Sequence, residues 1–392
     1  MKVNSVSYKD FRNLNTELHF SDGVNLLLGK NGEGKTNIAE GIWLNSAGKS
    51  FKNATDKEMI CFGKQKSEIV LNYTSESREN ELRTVLNYDG GREIYVNGVR
   101  LRRTADMIGL FFAVMFTPLT LSMIEDGPAE RRRFTDIAIS QLKPAYLRSL
   151  MTYNAALSER NACLKLVRDK KATDYQLLAW ECMMAPDGAR VIGERKMYLK
   201  RLAEIAAEEY EKITGGKERL TCHYQSCGGQ LEAKIDEVSK EVKPWNRREP
   251  YGSVNKMELF PIENGLLQKV FDSRKRDLKE GTTTIGPHRD DFEIFIDGRL
   301  ARDFASQGQK RSAVLALKAA ECRIIKEEIG EDPVVILDDV LSELDSARRK
   351  YVLDSLSTGQ TIITSCEAAR LGRAAKGKVF IVNGGVATEK TD

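Results

Sequence analysis

Hydrophobic and polar residues divide the chain into three textures. Residues 1–116 alternate with a period of two at Glu68–Tyr73, Leu82–Tyr88 and Glu93–Val96, the pattern of half-buried strands. Asp89-Gly90 and Asn97-Gly98 supply the residues a tight hairpin turn demands. Val24-Asn25-Leu26-Leu27-Leu28 predicts a short buried strand, and the continuous apolar run Phe111–Phe116 predicts another, closed by Pro118. From about 128 to 213 the texture becomes helical. Asp126-Gly127-Pro128 reads as a start; Pro144 and Pro186-Asp187-Gly188 read as breaks. Val191, Tyr198, Leu202, Ile205 and Ala206 form a stripe that ends at Gly215-Gly216. Residues 217–256 are polar and turn-rich around one expected strand, Leu220–Gln225, and Phe260–Glu280 is helical up to Gly281. The last third is α/β. Phe292, Ile294 and Ile296 alternate before an Asp297-Gly298 turn, and a helix follows Gln309 as far as Gly330. Then come the strand Val334–Leu337, a helix from Ser346, the strand Thr361–Thr364, and a final helix and strand.

Chemistry is concentrated at the junctions of this pattern. Gly29-Lys30-Asn31-Gly32-Glu33-Gly34-Lys35-Thr36 joins the first apolar strand to a helix. Glycines in that spacing turn successive N–H groups inward around a phosphate, and the helix adds the positive end of its dipole. Lys35 is expected to reach the β- and γ-phosphates of ATP, and the Thr36 hydroxyl to bind Mg²⁺. Asp338-Asp339 ends the strand that starts at Val334, where a carboxylate meets a ligand crevice. Asp338 is the expected Mg²⁺ holder and Asp339 the group that polarises the attacking water. One nucleotide site needs both motifs, so the chain ends are expected to fold together. The predicted architecture is an α/β ATPase head from residues 1–116 and 282–392, with a mainly helical arm, 117–281, inserted. Ser306-Gln307-Gly308-Gln309 heads the helix before the aspartate strand and offers a second anion-binding surface, in place of a simple N-cap. Two such surfaces suit one nucleotide held between two copies of the chain.

Together with Ser342-Glu343-Leu344-Asp345, these segments resemble the Walker A, signature, Walker B and D-loop motifs of ABC-type ATPases. Phe11-Arg12-Asn13-Leu14 is similar to the SMC-like branch. Residues 127–136 (GPAERRRFTD) and 286–291 (GPHRDD), followed by Ser306–Arg311, resemble the RecF family of bacterial recombination mediators, with motif order kept over nearly the full length. The resemblance implies an ATP-dependent homodimer on DNA at single-strand gaps beside duplex or at junctions. It also implies action with RecO and RecR to load RecA, weak DNA-stimulated ATP hydrolysis, and a link to replication-fork maintenance and SOS induction. It places Lys35 and Thr36 in the P-loop, Asp338 on Mg²⁺, Asp339 in hydrolysis, Ser306 across the dimer, Asp345 in the D-loop, and Arg12 and Asn13 beside the nucleotide. The chain departs from the family at Pro118-Leu119-Thr120, where Pro-Glu-Asp is usual. There is no histidine after the Thr361–Thr364 strand, and Asp339 is one methylene shorter than the glutamate of most ABC ATPases. Rivals are another SMC-like ATPase, for example of phage defence, and an ABC transporter nucleotide-binding subunit.

Composition narrows the class further. With 41% hydrophobic and 30% charged residues in 392, a sizeable core and a polar surface are both available. No apolar run is long enough for a membrane span, and the N-terminus has no apolar signal core, so cytoplasm is expected. Seven cysteines without a CxxC box, and three histidines, predict reduced thiols in place of a metal cluster; Cys222-His223 with Cys227 is the nearest approach to one. The net charge of +4 is mild, so local clusters carry the DNA expectation. Arg131-Arg132-Arg133 opens a helix against its dipole and calls for an anion, either a DNA phosphate or an acidic patch of the protein. Arg100, Arg102 and Arg103 follow a hairpin turn, and Lys200 and Arg201 lie on the arm helix. Arg274-Lys275-Arg276 reads as a solvated face.

Overall fold

The computed structural model describes residues 1–226, 256–355, 359–366 and 377–390. They fall into two compact units: Met1–Met123 with Ile205–Arg219 and Ser306–Asp392, and Ile124–Glu204 with Leu220–Ala305.

In the first unit both chain ends share one sheet. The strand Val24–Leu28 (β3) is hydrogen-bonded in parallel to Thr361–Ser365 (β13) on one side and to Val379–Asn383 (β14) on the other. Val334–Asp338 (β12) and Ala113–Phe116 (β8) extend it in parallel, and Val386–Glu389 (β15) closes the far edge antiparallel, in the order β15-β14-β3-β13-β12-β8. Every residue of β3, β8 and β12 is buried, which is why they read as apolar runs interrupted only by Asn25 and the terminal Asp338. A second sheet is antiparallel and alternates: Lys2–Phe11 (β1), Leu14–His19 (β2), Lys66–Ser75 (β4), Arg78–Asn87 (β5), Arg92–Val96 (β6) and Val99–Arg100 (β7). Asn97 and Gly98 take φ 49° and φ 79°, the two positive values that a primed hairpin turn requires. The buried amide of Gln360 accepts from the Val3 N–H at 2.7 Å and donates to the Val3 carbonyl at 2.8 Å, tying residues 357 apart.

Around these sheets lie Lys35–Ala47 (α1), the end of a long helix Asp174–Thr214 (α4), Gln307–Ile329 (α7) and Ser346–Ser355 (α8). Pro118-Leu119-Thr120 starts a one-turn helix. Thr117 caps it, and Thr120 completes the capping box with its hydroxyl 2.8 Å from the Thr117 N–H. The side chain that departs from the family pattern thus keeps a cap.

The second unit holds Pro128–Leu142 (α2), Pro144–Arg168 (α3), most of α4, Lys256–Asp272 (α5), Arg274–Glu280 (α6) and a three-stranded sheet. In that sheet Asp291–Ile296 (β10) lies between Leu220–Gln225 (β9) and Arg299–Leu300 (β11). The observed division differs from boundaries at 116/117 and 281/282. The alternating strand β10, expected in the head, pairs with β9, so residues 282–305 belong with the helices. Two helical expectations also change. Pro186-Asp187-Gly188 does not break α4. A β-carbon on Gly188 would lie 2.7 Å from Leu266, so the glycine serves close helix packing, and Met184, Ala185 and Ala189 are buried around it. The region 260–280 is two helices, broken at Ser273, with α6 ended by Gly281 at φ 68°. The expected final helix lies outside the described residues, and the last strand is instead the hairpin β14–β15.

Candidate nucleotide site

The loop Gly29–Thr36 turns out of β3 into α1 with Gly32 at φ 87° and Gly34 at φ 115°. Neither value suits an L side chain, and at Gly34 a β-carbon would also lie 2.8 Å from Leu14. Lys35 is 5% exposed, and its ammonium donates to the carbonyls of Gly29 and Lys30, each at 2.8 Å, and to Cys366 Sγ at 3.5 Å. Cys366, just beyond β13 where a histidine is absent, donates to Asn31 Oδ1 at 2.7 Å.

Asp338 ends β12 two strands from the P-loop strand, with β13 between. Thr364 on β13 donates its hydroxyl to Asp338 Oδ1 at 2.7 Å, and the Thr36 hydroxyl bonds to the same carboxylate. Burial raises the pKa of Asp338, against the opposing effect of the two hydroxyls and of Lys52. Asp339 stands half-buried in the left-handed region at φ 56°, its N–H on Thr364 Oγ1 at 3.0 Å. The P-loop and the two aspartates therefore converge as expected, with Thr364 the link that sequence reasoning missed.

The rim of the loop is built by residues that carried little sequence signal. Asn13 accepts from Asn37 Nδ2 at 2.8 Å and reaches the Gly32 carbonyl at 3.5 Å. Arg12, at φ 53°, turns away onto Glu40, with bonds of 3.0 and 2.9 Å, and onto the Glu58 carbonyl at 2.7 Å. Burial pushes Glu40 up, but hydrogen bonds from Arg12 and Ser50, with the charge of Lys52, outweigh it and leave its pKa lowered. The clue available in the sequence was an acid at position 40 set among Ile38, Ala39, Ile42 and Trp43, and the structure buries it fully. Lys52 also donates to Asn37 at 2.9 Å. From this rim a groove of about 1020 Å³ extends past Arg12, Lys52, Lys57 and Tyr88. On the other flank the turn of β14–β15 reaches the loop: the Gly384 N–H donates to the Glu33 carboxylate, and the Gly385 N–H to the Glu33 carbonyl at 2.9 Å.

Ser306 is the N-cap of α7. It accepts from the Gln309 N–H at 3.2 Å, while its own N–H donates to Gln309 Oε1 at 2.8 Å, a complete capping box. Ser306 and Gln307 are exposed, and Gln309 is tied to Glu218 at 2.9 Å. The plain N-cap geometry is thus present at an exposed helix N-terminus. Arg348 links this turn to the D-loop: it donates to Ser312 at 2.7 Å, ion-pairs with Asp345, and packs beside Gly308. Arg311 binds Glu343 at 2.6 Å, and Asp345 accepts the Arg348 N–H at 2.9 Å, which caps α8 and keeps its own pKa low.

The basic residues separate into different settings. Arg100, Arg102 and Arg103 are exposed, with Arg100 3.8 Å from Glu93. Lys200 is exposed on α4 and Arg201 is half-buried. Arg131 is corrected by the structure. It is 4% exposed, grips Asp291 at 2.8 and 2.9 Å, and donates to the Asp126 carbonyl at 2.7 Å. The anion its helix position called for is a protein carboxylate, so no donor is directed outward to a DNA phosphate. Arg132 donates to the Asp290 carbonyl at 2.7 Å, and Arg133 lies 3.9 Å from Glu130. Among the described residues no group of histidines, cysteines and acids could hold a metal, and no helix is long and apolar enough to cross a membrane. Cys227 lies outside the described residues.

A family model described as the RecF/RecN/SMC N terminal domain matches residues 2–387. The DNA replication and repair protein RecF of Acetivibrio thermocellus is 35% identical over 367 residues, covering 93% of each chain. That of Clostridium acetobutylicum is 36% identical over 366 residues, covering 93% of this chain and 92% of its own. A solved structure of the recombination mediator protein RecF-ATPrS in the RecFOR pathway superposes with a TM-score of 0.87 at 32% identity, covering 100% of this chain and 98% of that one. An SMC head bound to the C-winged helix domain of ScpA shares the fold, with a TM-score of 0.55 at 16% identity, covering 100% of this chain and 97% of that one.

Proposed function

The chain belongs to the RecF family of SMC-type ATPases, and from that premise we propose that it is an ATP-switched DNA-binding protein of replication and recombinational repair. The observation that carries this reading is the junction of Thr36, Asp338 and Thr364, where a P-loop and an acid from opposite ends of the chain meet at one carboxylate. The donor set fits Mg²⁺: one hydroxyl and one buried carboxylate at the mouth of a glycine loop. Thr36 and Asp338 would hold that ion, which neutralises phosphate charge when bound. Gly29, Lys30, Asn31, Gly32, Glu33 and Gly34 cradle the phosphates of ATP, and the Lys35 ammonium leaves its loop carbonyls for them. Asp339 orients the attacking water. Arg12 holds the rim through Glu40, Asn13 borders the loop, and the groove past Lys52 and Tyr88 has room for the nucleoside.

The exposed N-terminus of α7, with Ser306, Gln307, Gly308, Gln309 and the adjoining Asp345, serves the nucleotide of a second copy. ATP then closes a homodimer around DNA, and slow, DNA-stimulated hydrolysis reopens it. Arg100, Arg102, Arg103, Lys200 and Arg201 are the phosphate contacts this reading favours, with Arg132 and Arg133 in lesser roles. The names of the relatives, and of the RecFOR-pathway structure above all, support gap or junction DNA as the target and RecO and RecR as partners in loading RecA. Relatives that span 93% of the chain favour this over a phage-defence ATPase or a transporter subunit that shares only the head.

The test is the solution mass of the Asp339→Asn variant by light scattering. Mg-ATP should raise it from 44.1 kDa to about twice that value. Adding Ser306→Arg should abolish the rise while leaving ATP binding by the monomer intact. A mass unmoved at saturating ATP would sink the sandwich.

A further inference from the structure

A cationic end of the second unit belongs to none of the roles above. The end of α3, the start of α4 and α6 meet there around buried Cys163, Leu164 and Leu177, with Val167, Trp180 and Leu278 packed against them. Gly281, directly after α6, completes the contact: its β-carbon position lies 3.3 Å from the Arg168 guanidinium and 3.7 Å from Lys165 Cγ. Residues 165–171 and 274–281 are therefore side by side, and together they carry eight cations against three acids.

The acids are all engaged. Asp277 is buried on Arg160 at 2.8 Å; Asp169 lies 3.6 Å from Arg168, and Glu280 2.8 Å from Arg276. Arg274 turns inward onto Glu181 at 2.5 Å. That leaves Lys165, Lys170, Lys171, Lys275 and Lys279, all exposed, whose ammonium groups have no ion-pair partner among the described residues. Helix polarity accounts for two of the five: Lys165 and Lys279 meet the negative ends of the α3 and α6 dipoles. Lys170 and Lys171 lie beyond α3, and Lys275 stands in the first turn of α6, where the dipole opposes a cation. Lys170 also has φ 58°, a region that costs a residue with a β-carbon about 1 kcal/mol and that glycine enters freely. A lysine stands where the backbone alone would prefer glycine.

We propose that this end of the second unit grips the phosphate backbone of DNA. The inference rests on the DNA-binding reading given above and locates a contact that reading did not include. Unpaired, exposed ammonium groups from two chain segments suit a polyanion and carry no base readout. Binding here is therefore independent of sequence and steep in salt.

The experiment measures anisotropy of a fluorescein-labelled gapped duplex with full-length protein and Mg-ATP, from about 50 to about 200 mM salt. Replacing Lys165, Lys170, Lys171 and Lys279 by alanine should flatten the slope of log K against log salt by about 3 and weaken binding roughly tenfold or more at the higher salt. Replacing the same four by arginine should restore both, since charge is what matters. ATP binding by the alanine variant reports that the head is intact. An unchanged slope and affinity in the alanine variant, with wild type binding normally, overturns the proposal and leaves the patch to an acidic protein. Failure of the wild type to bind DNA at any salt overturns the DNA reading itself.

Discussion

Asp339 combines a backbone demand with the chemistry proposed for it. Its φ of 56° is in the left-handed region, which asparagine and aspartate tolerate better than longer side chains. Asp339→Glu, the change toward the commoner ABC carboxylate, should lower unfolding stability by about 1 kcal/mol in urea, while Asp339→Asn should be near neutral. If both variants match wild type, the strain argument fails. Ser306 caps α7 in addition to the role proposed for it. Ser306→Ala should cost about 1 kcal/mol through the lost capping box, and Ser306→Thr should retain most of it. His288 carries a pH signature. Burial pushes its pKa down to about 4; its Nδ1 lies 2.7 Å from the Tyr153 hydroxyl and its Nε2 3.0 Å from the Thr283 carbonyl, an arrangement that suits the neutral ring. Because the folded value is depressed, this stabilisation is complete above the unfolded pKa of about 6.5 and fades as pH falls toward 4. Between pH 7.5 and pH 5 it should take about 2 kcal/mol from the wild type. Denaturation of His288→Gln at the two pH values should show a smaller loss, and equal losses would refute the assignment.

Elements that meet the P-loop do more than support it. The hairpin β14–β15 touches it twice: the Val382 carbonyl lies 2.3 Å from where a β-carbon on Gly29 would stand, and Gly384 and Gly385 hold both ends of Glu33. Gly385 has φ 82°, and a β-carbon there would sit 1.8 Å from the Asn13 carbonyl oxygen. Gly385→Ala should therefore displace the hairpin from the loop and lower affinity for a fluorescent ATP analogue by roughly tenfold, since loop registry with the phosphates is lost. Glu33→Ala should weaken it in the same direction but less, since the Glu33 carbonyl remains. Unaltered affinity in both would show that the loop keeps its shape unaided. Pro186-Asp187-Gly188 has turn chemistry, yet tertiary packing of Gly188 on Leu266 and Tyr153 keeps α4 continuous for 41 residues.

The whole molecule depends on closing its two ends into one sheet. β3 sits between two strands that are more than 330 residues later, so neither terminal segment has a core without the other. Arg348 and Arg311 couple the signature turn to the D-loop, so in the proposed dimer both would reach a partner's nucleotide as one body. The proposed switch needs a long-lived closed state. Phosphate release in the presence of gapped DNA should accordingly stay below about 10 s⁻¹, the middle of the range for enzymes; a faster turnover would argue for a motor.

The sequence by itself determined the P-loop, the aspartate pair, the strands around them and the need for the ends to meet, because glycine spacing and apolar runs report local backbone demands. It determined in the same way that Arg131–Arg133 needed an anion. Only the tertiary structure decided that Asp291 is that anion for Arg131, that β10 pairs with β9 outside the nucleotide-binding unit, and that Thr364, Glu40 and the last hairpin complete the site. These are choices of partner across long stretches of chain. A carboxylate, a hydroxyl or an alternating strand can satisfy many partners equally well locally, and long-range packing selects among them.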